Sequence, residues 1–135
     1  MIRAQCANYC LHVNILNMAI AFARISYHSR SQGHSAVAGA AYRAGVELKD
    51  NRTGEVHSFK NRSDVIYSEI LLPEGAAIQF KDRETLWNAV EAAEMRRNSQ
   101  IAKDIVLALP RDLDLSLQID LARNFANSHF VRYGI

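Results

Sequence analysis

Segments with strand and helix patterning alternate along the chain, which predicts an α/β or α+β domain whose helices pack on a sheet. Three observations carry that prediction. Two branched and aromatic runs, VIYSEILL at 65–72 and KDIVLAL at 103–109, are stopped at or near a proline. An apolar/polar alternation runs up to about residue 29. Helix-period runs with capping residues lie between these strands. With 135 residues, 49% of them apolar, and a formal charge of +2, the chain has the size and balance of one globular domain. A chain of this length buries roughly two thirds of its unfolded surface, so it needs no disulfide or metal clip to hold a core.

In chain order, residues 1–17 read as an extension outside the domain. Asn8, His12, Asn14 and Asn17 break every apolar run there well short of the ~18 residues a membrane span needs. Met18 is read as the functional start and opens MAIAFARISYHS, a half-buried strand pattern. A polar loop follows, then Ser35 as N-cap, an alanine-rich helix and Gly45 as its stop. Because nearly every residue of that helix is tiny, its backbone can lie close to a sheet or a ligand. Residues 46–64 read as two short extended arms around the turn Asp50-Asn51-Arg52-Thr53-Gly54. A strand over 65–72 precedes a helix from Asp82 that puts Leu86, Val90 and Ala93 on one face, and Glu91 and Glu94 near Arg97 on another. After the 103–109 strand, Ser116 is the expected cap of a last helix with Leu117, Leu121, Phe125 and Phe130 facing inward.

Charge is unevenly spread. Residues 19–62 carry seven bases against three acids, whereas residues 63–135 carry eight against eleven. One end of the molecule can therefore present a basic surface to a polyanion, with an ordinary mixed surface as the alternative. Cys6 and Cys10 match no disulfide framework or zinc spacing, which suggests a reducing, cytoplasmic setting. Phosphate-loop, dinucleotide, nucleophile-elbow and His-Glu-x-x-His motifs are all absent, so nucleotide hydrolysis, dinucleotide redox chemistry and serine hydrolysis lose support.

Tyr42 is the sharpest chemical candidate. It is the one large polar-tipped side chain on a helix of Ala, Gly and Val, with Arg43 beside it and Arg24 and Arg30 earlier in the basic block. A phenol becomes a nucleophile when a base or a nearby positive charge helps remove its proton. The alternative is a ring packed on the sheet with its hydroxyl hydrogen-bonded. Asp104 and Glu69 sit inside apolar strands, where a carboxylate must be paired, hydrated or metal-bound. Lys103 is a ready neutraliser for Asp104. His28, His34 and His57 fit no metal spacing and are read as surface or DNA-facing groups.

The ordered segments MAIAFARISYHSRSQGHSAVAGAAYRAG, DNRTGEVHSF, SEILLP, LWNAVEAAEMRRNSQIAKDIVLALP and the terminal RYGI together resemble the amino-terminal part of MobA/MobL-type relaxases, the group that includes TraA-like conjugal transfer proteins. The resemblance spans about residues 18–135. It implies an α+β, HUH endonuclease-like fold with helices on a mainly antiparallel sheet, cut short before the metal-binding strands. It also implies site- and strand-specific nicking of single-stranded DNA at a plasmid transfer origin through a 5′-phosphotyrosyl intermediate, within a relaxosome and away from any membrane. By motif position Tyr42 is the nucleophile and Asp104 the supporting acid, and Arg24, Arg30 and Arg43 are the expected DNA contacts.

Two departures matter. Where the family commonly has a second acid after the Asp104 position, this chain has Val106. The family's metal-binding histidine motif has no match either, and His12, His28, His34, His57 and His129 do not stand in it. The complete family domain is expected to use Mg²⁺ or Mn²⁺, which this chain could not hold in the family manner. The expectation is therefore a truncated, inactive relaxase module that lacks central strands. The alternatives are a single-stranded DNA-binding module or an inactive remnant.

Overall fold

A computed structural model describes residues 2–5, 9–14 and 23–133, the first two segments as backbone. Seven strands and three α-helices follow in the order β1 Ile2–Gln5, β2 Tyr9–Asn14, β3 Ala23–Ser29, α1 Ala36–Ala44, β4 Glu47–Lys49, β5 Val56–Ser58, β6 Val65–Leu71, α2 Arg83–Ala93, β7 Gln100–Leu107 and α3 Leu115–His129. Five strands form one sheet in the order β3-β7-β1-β2-β6, and every neighbouring pair is antiparallel. β4 and β5 make a separate two-stranded arm.

Residues 2–5 and 9–14, expected to lie outside the domain, form the two strands between β7 and β6. Gln5 stands opposite Asp104, and Leu11 opposite Glu69. The residues that rule out a membrane span are also those of a strand alternation, since Tyr9, Leu11 and Val13 interleave with Cys10, His12 and Asn14. Without this hairpin, the facing edges of β6 and β7 would leave rows of amides and carbonyls unpaired. β1 and β2 thus hold the central positions of this sheet. Met18, Cys6 and the start of the expected first strand lie outside the described residues.

Helix α1 is held as its sequence predicts. Ser35 Oγ accepts the Ala38 amide at 3.1 Å, and Gly45 closes the helix at φ 64°, a left-handed conformation that favours glycine. Its small residues allow close packing, so Ala36, Val37, Ala40 and Ala41 join Trp87, Val90, Ile101 and Ala102 in the main core. Alternation along β6 separates the two helical layers. Ser68 meets Arg83 of α2 and Ile70 packs on the α1–α2 core, while Tyr67 and Glu69 meet Arg123 of α3.

Three boundaries or faces differ from expectation. β7 begins at Gln100 and ends at Leu107. Asp114, not Ser116, caps α3 by accepting the Leu117 amide at 2.9 Å, because a carboxylate one step ahead of the helix suits its positive end better. The inward face of α3 is Ile119, Ala122 and Ala126, which turns Leu117 and Leu121 outward.

Candidate active site

Tyr42 lies in the last turn of α1 and is 40% exposed. The chain after α1 folds back as the β4–β5 arm, which sets Phe59 edge-on against the tyrosine ring with centroids 5.3 Å apart. Three residues on, the Arg62 guanidinium carbon sits 4.0 Å from the ring centroid. Arg62 Nη1 also donates to the Tyr42 carbonyl at 2.8 Å, and its fork pairs with Asp64. The hydrogen bond to Asp64 raises the Arg62 pKa further, so a permanent cation stands against the face of an exposed phenol. Arg62 was not singled out in the sequence, where it counted only toward the charge of the 19–62 block.

On the sheet side of α1 is a buried polar cluster. Asp104 Oδ2 accepts from Arg43 and lies 3.0 Å from His28 Nε2, and Arg43 Nη2 lies 3.0 Å from the same His28 nitrogen. The strand register explains the meeting, because Ser26 is opposite Asp104 and His28 opposite Ala102 on one face. Nε2 can either donate to Asp104 or accept from Arg43, so the tautomer of His28 decides which of the two contacts is a hydrogen bond. Burial, and then the Arg43 charge, lower the His28 pKa. His34 stacks edge-on to His28 with centroids 5.0 Å apart. Asp104 Oδ1 is buried with no partner among the described residues.

Three expectations change here. Arg43 is 7% exposed and spends its charge on Asp104 and on the Gly39 carbonyl, which makes it an internal ion pair instead of a DNA contact. His28 is half-buried, and Arg43 takes the place expected for Lys103, which reaches toward the Tyr27 ring.

A second buried acid sits at the other end of α1. Glu91, expected with Glu94 near Arg97 on a face apart from the apolar one, is 3% exposed. Its Oε1 accepts the Ala36 amide at 2.6 Å. Its Oε2 accepts Arg30 Nη2 at 2.7 Å and lies 3.4 Å from Arg52 Nε. The readable signal was its position four residues after Trp87, on the flank of the buried stripe. Arg24 is exposed on the edge strand β3. Glu69 pairs with Arg123 at 2.9 Å and serves the packing of α3.

The cation implied by the resemblance does not fit these residues. A divalent ion needs several oxygen or imidazole ligands turned to one point. Among the described residues no three His, Cys, Asp or Glu side chains gather to hold one, and the His28–Asp104 pair already has a guanidinium against both members.

A tyrosine standing out of an alanine helix, which lies on an antiparallel sheet beside a buried acid, belongs to an α+β fold of the relaxase type. A solved structure addressing the molecular basis of vancomycin resistance transfer in Staphylococcus aureus matches 86% of this chain and 59% of its own, with a TM-score of 0.81 and 39% identity. The model of the MobA/MobL family matches residues 34–135, and the chain belongs to that family. It is 41% identical over 107 residues to the mobilization protein MobL of Acidithiobacillus ferridurans, covering 79% of this chain and 28% of that protein. To the conjugal transfer protein TraA of Rhizobium radiobacter it is 33% identical over 128 residues, covering 87% of this chain and 12% of TraA. The chain thus spans less than a third of the curated relatives it matches. No helix among the described residues is long and apolar enough to cross a membrane.

Proposed function

We propose that this chain is the nucleophile-bearing part of a cytoplasmic DNA relaxase, acting on one strand of a plasmid transfer origin within a relaxosome. Tyr42 Oη attacks the scissile phosphorus. The P–O3′ bond breaks, the phenolic proton passes through solvent to the departing 3′ oxygen, and the 5′ phosphate stays on the tyrosine. The observation that supports this reading is the half-exposed Tyr42 ring with Arg62 4.0 Å from its centroid, a cation that stabilises both phenolate and phosphate. Asp104 acts as a positioning residue, fixing Arg43 and through it the last turn of α1. Arg24 and Arg30 supply backbone attraction that is independent of base sequence. The divalent cation belongs to the complete family domain, so the 135-residue chain alone cuts slowly, and a trace of Tyr42 adduct is what distinguishes it from a module that only binds.

A second reading, a single-stranded DNA-binding module, is favoured by the exposed Arg24 and Tyr27 side chains on edge strand β3, a cation and a stacking ring on one strand. Incubation of the chain with a transfer-origin oligonucleotide and Mn²⁺ or Mg²⁺ separates the readings. An adduct lost in Tyr42→Phe establishes the chemistry in this chain. Salt-sensitive retention without an adduct, again weakened in Arg24→Ala, establishes the binding role. Absence of both leaves an inactive remnant and overturns the proposal.

A further inference from the structure

Between the tip of the β4–β5 arm, the end of α2 and the turn after β3 lies a cavity of about 410 Å³, whose walls include Arg30, Asn51, Arg52, Ala92 and Met95. That volume is within the range of small-ligand pockets. Its walls are fixed by contacts already made. Asn88 locks the arm to α2, accepting the Asn51 amide and donating to the Lys49 carbonyl, both at 2.8 Å. Asp50, fully buried, accepts from Ser35 Oγ at 2.8 Å and from the Arg52 amide at 2.9 Å, which sets the turn carrying Arg52.

The chemistry of the walls divides in two. On one side, the carboxylate of Glu91 gathers both arginines. Arg30 Nη2 donates to the Glu91 carbonyl at 2.8 Å as well as to its side chain, and Arg52 is bracketed by Glu91 at 3.4 Å and Asp50 at 3.7 Å. Two guanidiniums meet at one carboxylate, the N-terminal amide of α1 shares it, and Arg30 Nε is a buried donor with no acceptor among the described residues. Two acids balance the two guanidiniums, and the Arg52 side chain, 43% exposed, keeps donors free to meet a phosphate oxygen. On the other side, Ala92 and Met95 offer an apolar surface, and Met95 is 83% exposed without a covering group. A thioether of this kind packs well on an aromatic face.

We infer that this cavity binds one nucleotide of a single strand, with its phosphate at Arg30 and Arg52, its base on Ala92 and Met95, and the Asn51 side chain, which lines the cavity, available to the base edge. The inference rests on the proposed relaxase reading and deepens it. Ala36, at the cavity end of α1, is six residues from Tyr42, or about 9 Å along the helix axis. The pocket therefore lies a few nucleotides from the reacting phosphate and would fix the register of the strand that Tyr42 meets.

The test uses the whole 135-residue chain and a labelled twelve-nucleotide strand carrying one 5-iododeoxyuridine, moved along the strand in successive probes. At one position, irradiation is expected to crosslink the tryptic peptide 84–96, which contains Ala92 and Met95. Arg52→Gln is expected to weaken binding about tenfold and lower the salt slope by about 1. Thymidine monophosphate should compete for the crosslink better than inorganic phosphate at equal ionic strength. Crosslinks confined to other segments, or binding unchanged in Arg52→Gln, overturn the pocket while leaving DNA binding at Tyr42 intact. Equal competition by inorganic phosphate reduces it to an anion site and overturns the nucleotide assignment. Failure of every probe to bind removes both the pocket and the relaxase reading.

Discussion

The two ends of α1 each rest on a buried acid held by arginine, and the two acids are used differently. Glu91 has partners on both oxygens, and those partners come from α1, the arm and the turn after β3. Asp104 concentrates Arg43 and His28 on a single oxygen and leaves the other without a partner among the described residues. A saturated carboxylate ties elements together. One with an idle, desolvated oxygen holds a geometry at some expense to stability, as functional sites commonly do.

This contrast orders the predictions. Glu91→Gln should be the most damaging single change, costing about 3–5 kcal/mol in urea unfolding, because it strands two guanidiniums and an N-terminal amide. Asp104→Asn should cost less, about 1–3 kcal/mol, since one oxygen of that carboxylate has no partner among the described residues. The reverse order would break the distinction between anchor and poised group.

A pH titration sharpens it. The folded pKa of His28 is lowered by burial and by Arg43, so the folded state takes up its proton less readily than the unfolded chain. The stability this contributes is fully present above the ordinary histidine value of about 6.5 and is lost as pH falls through the lowered folded value. His28→Asn should flatten that acid-side slope. A slope that persists undiminished would place its origin elsewhere. Tyr42→Phe should be the mildest change, within about 0.5 kcal/mol of the parent, because the ring is half-exposed and keeps its contacts with Phe59 and Arg62.

Local signals in the sequence were enough for α1, where a Ser cap, a run of alanines and a Gly stop all act within the helix itself. They were enough for the β4–β5 arm as well, because Asp50 folds the turn with its own carboxylate on the Arg52 amide. Tyr42 was legible for the same reason, as one large side chain among small ones. What stayed hidden depends on partners distant in sequence. Arg30 and Glu91 are 61 residues apart, as are Arg43 and Asp104, and nothing in either neighbourhood says which basic residues turn inward. Residues 1–17 were read as an extension outside the domain, where polar residues interrupt the apolar runs. In a strand paired on both sides that interruption is only the alternation of its two faces. Arg62 was visible as charge alone, and its role came from the arm folding back on α1.

The central claim is that Tyr42 faces a nucleic acid backbone, and tyrosine nitration tests it without requiring turnover. The chain is treated with tetranitromethane alone and with a saturating transfer-origin strand, bound as judged by fluorescence anisotropy. Tyr42 should be nitrated in the free chain and protected in the complex, while Tyr133, which is 65% exposed and lies beyond α3, should react equally in both. Nitration of Tyr42 that is unchanged by the bound strand would contradict the account.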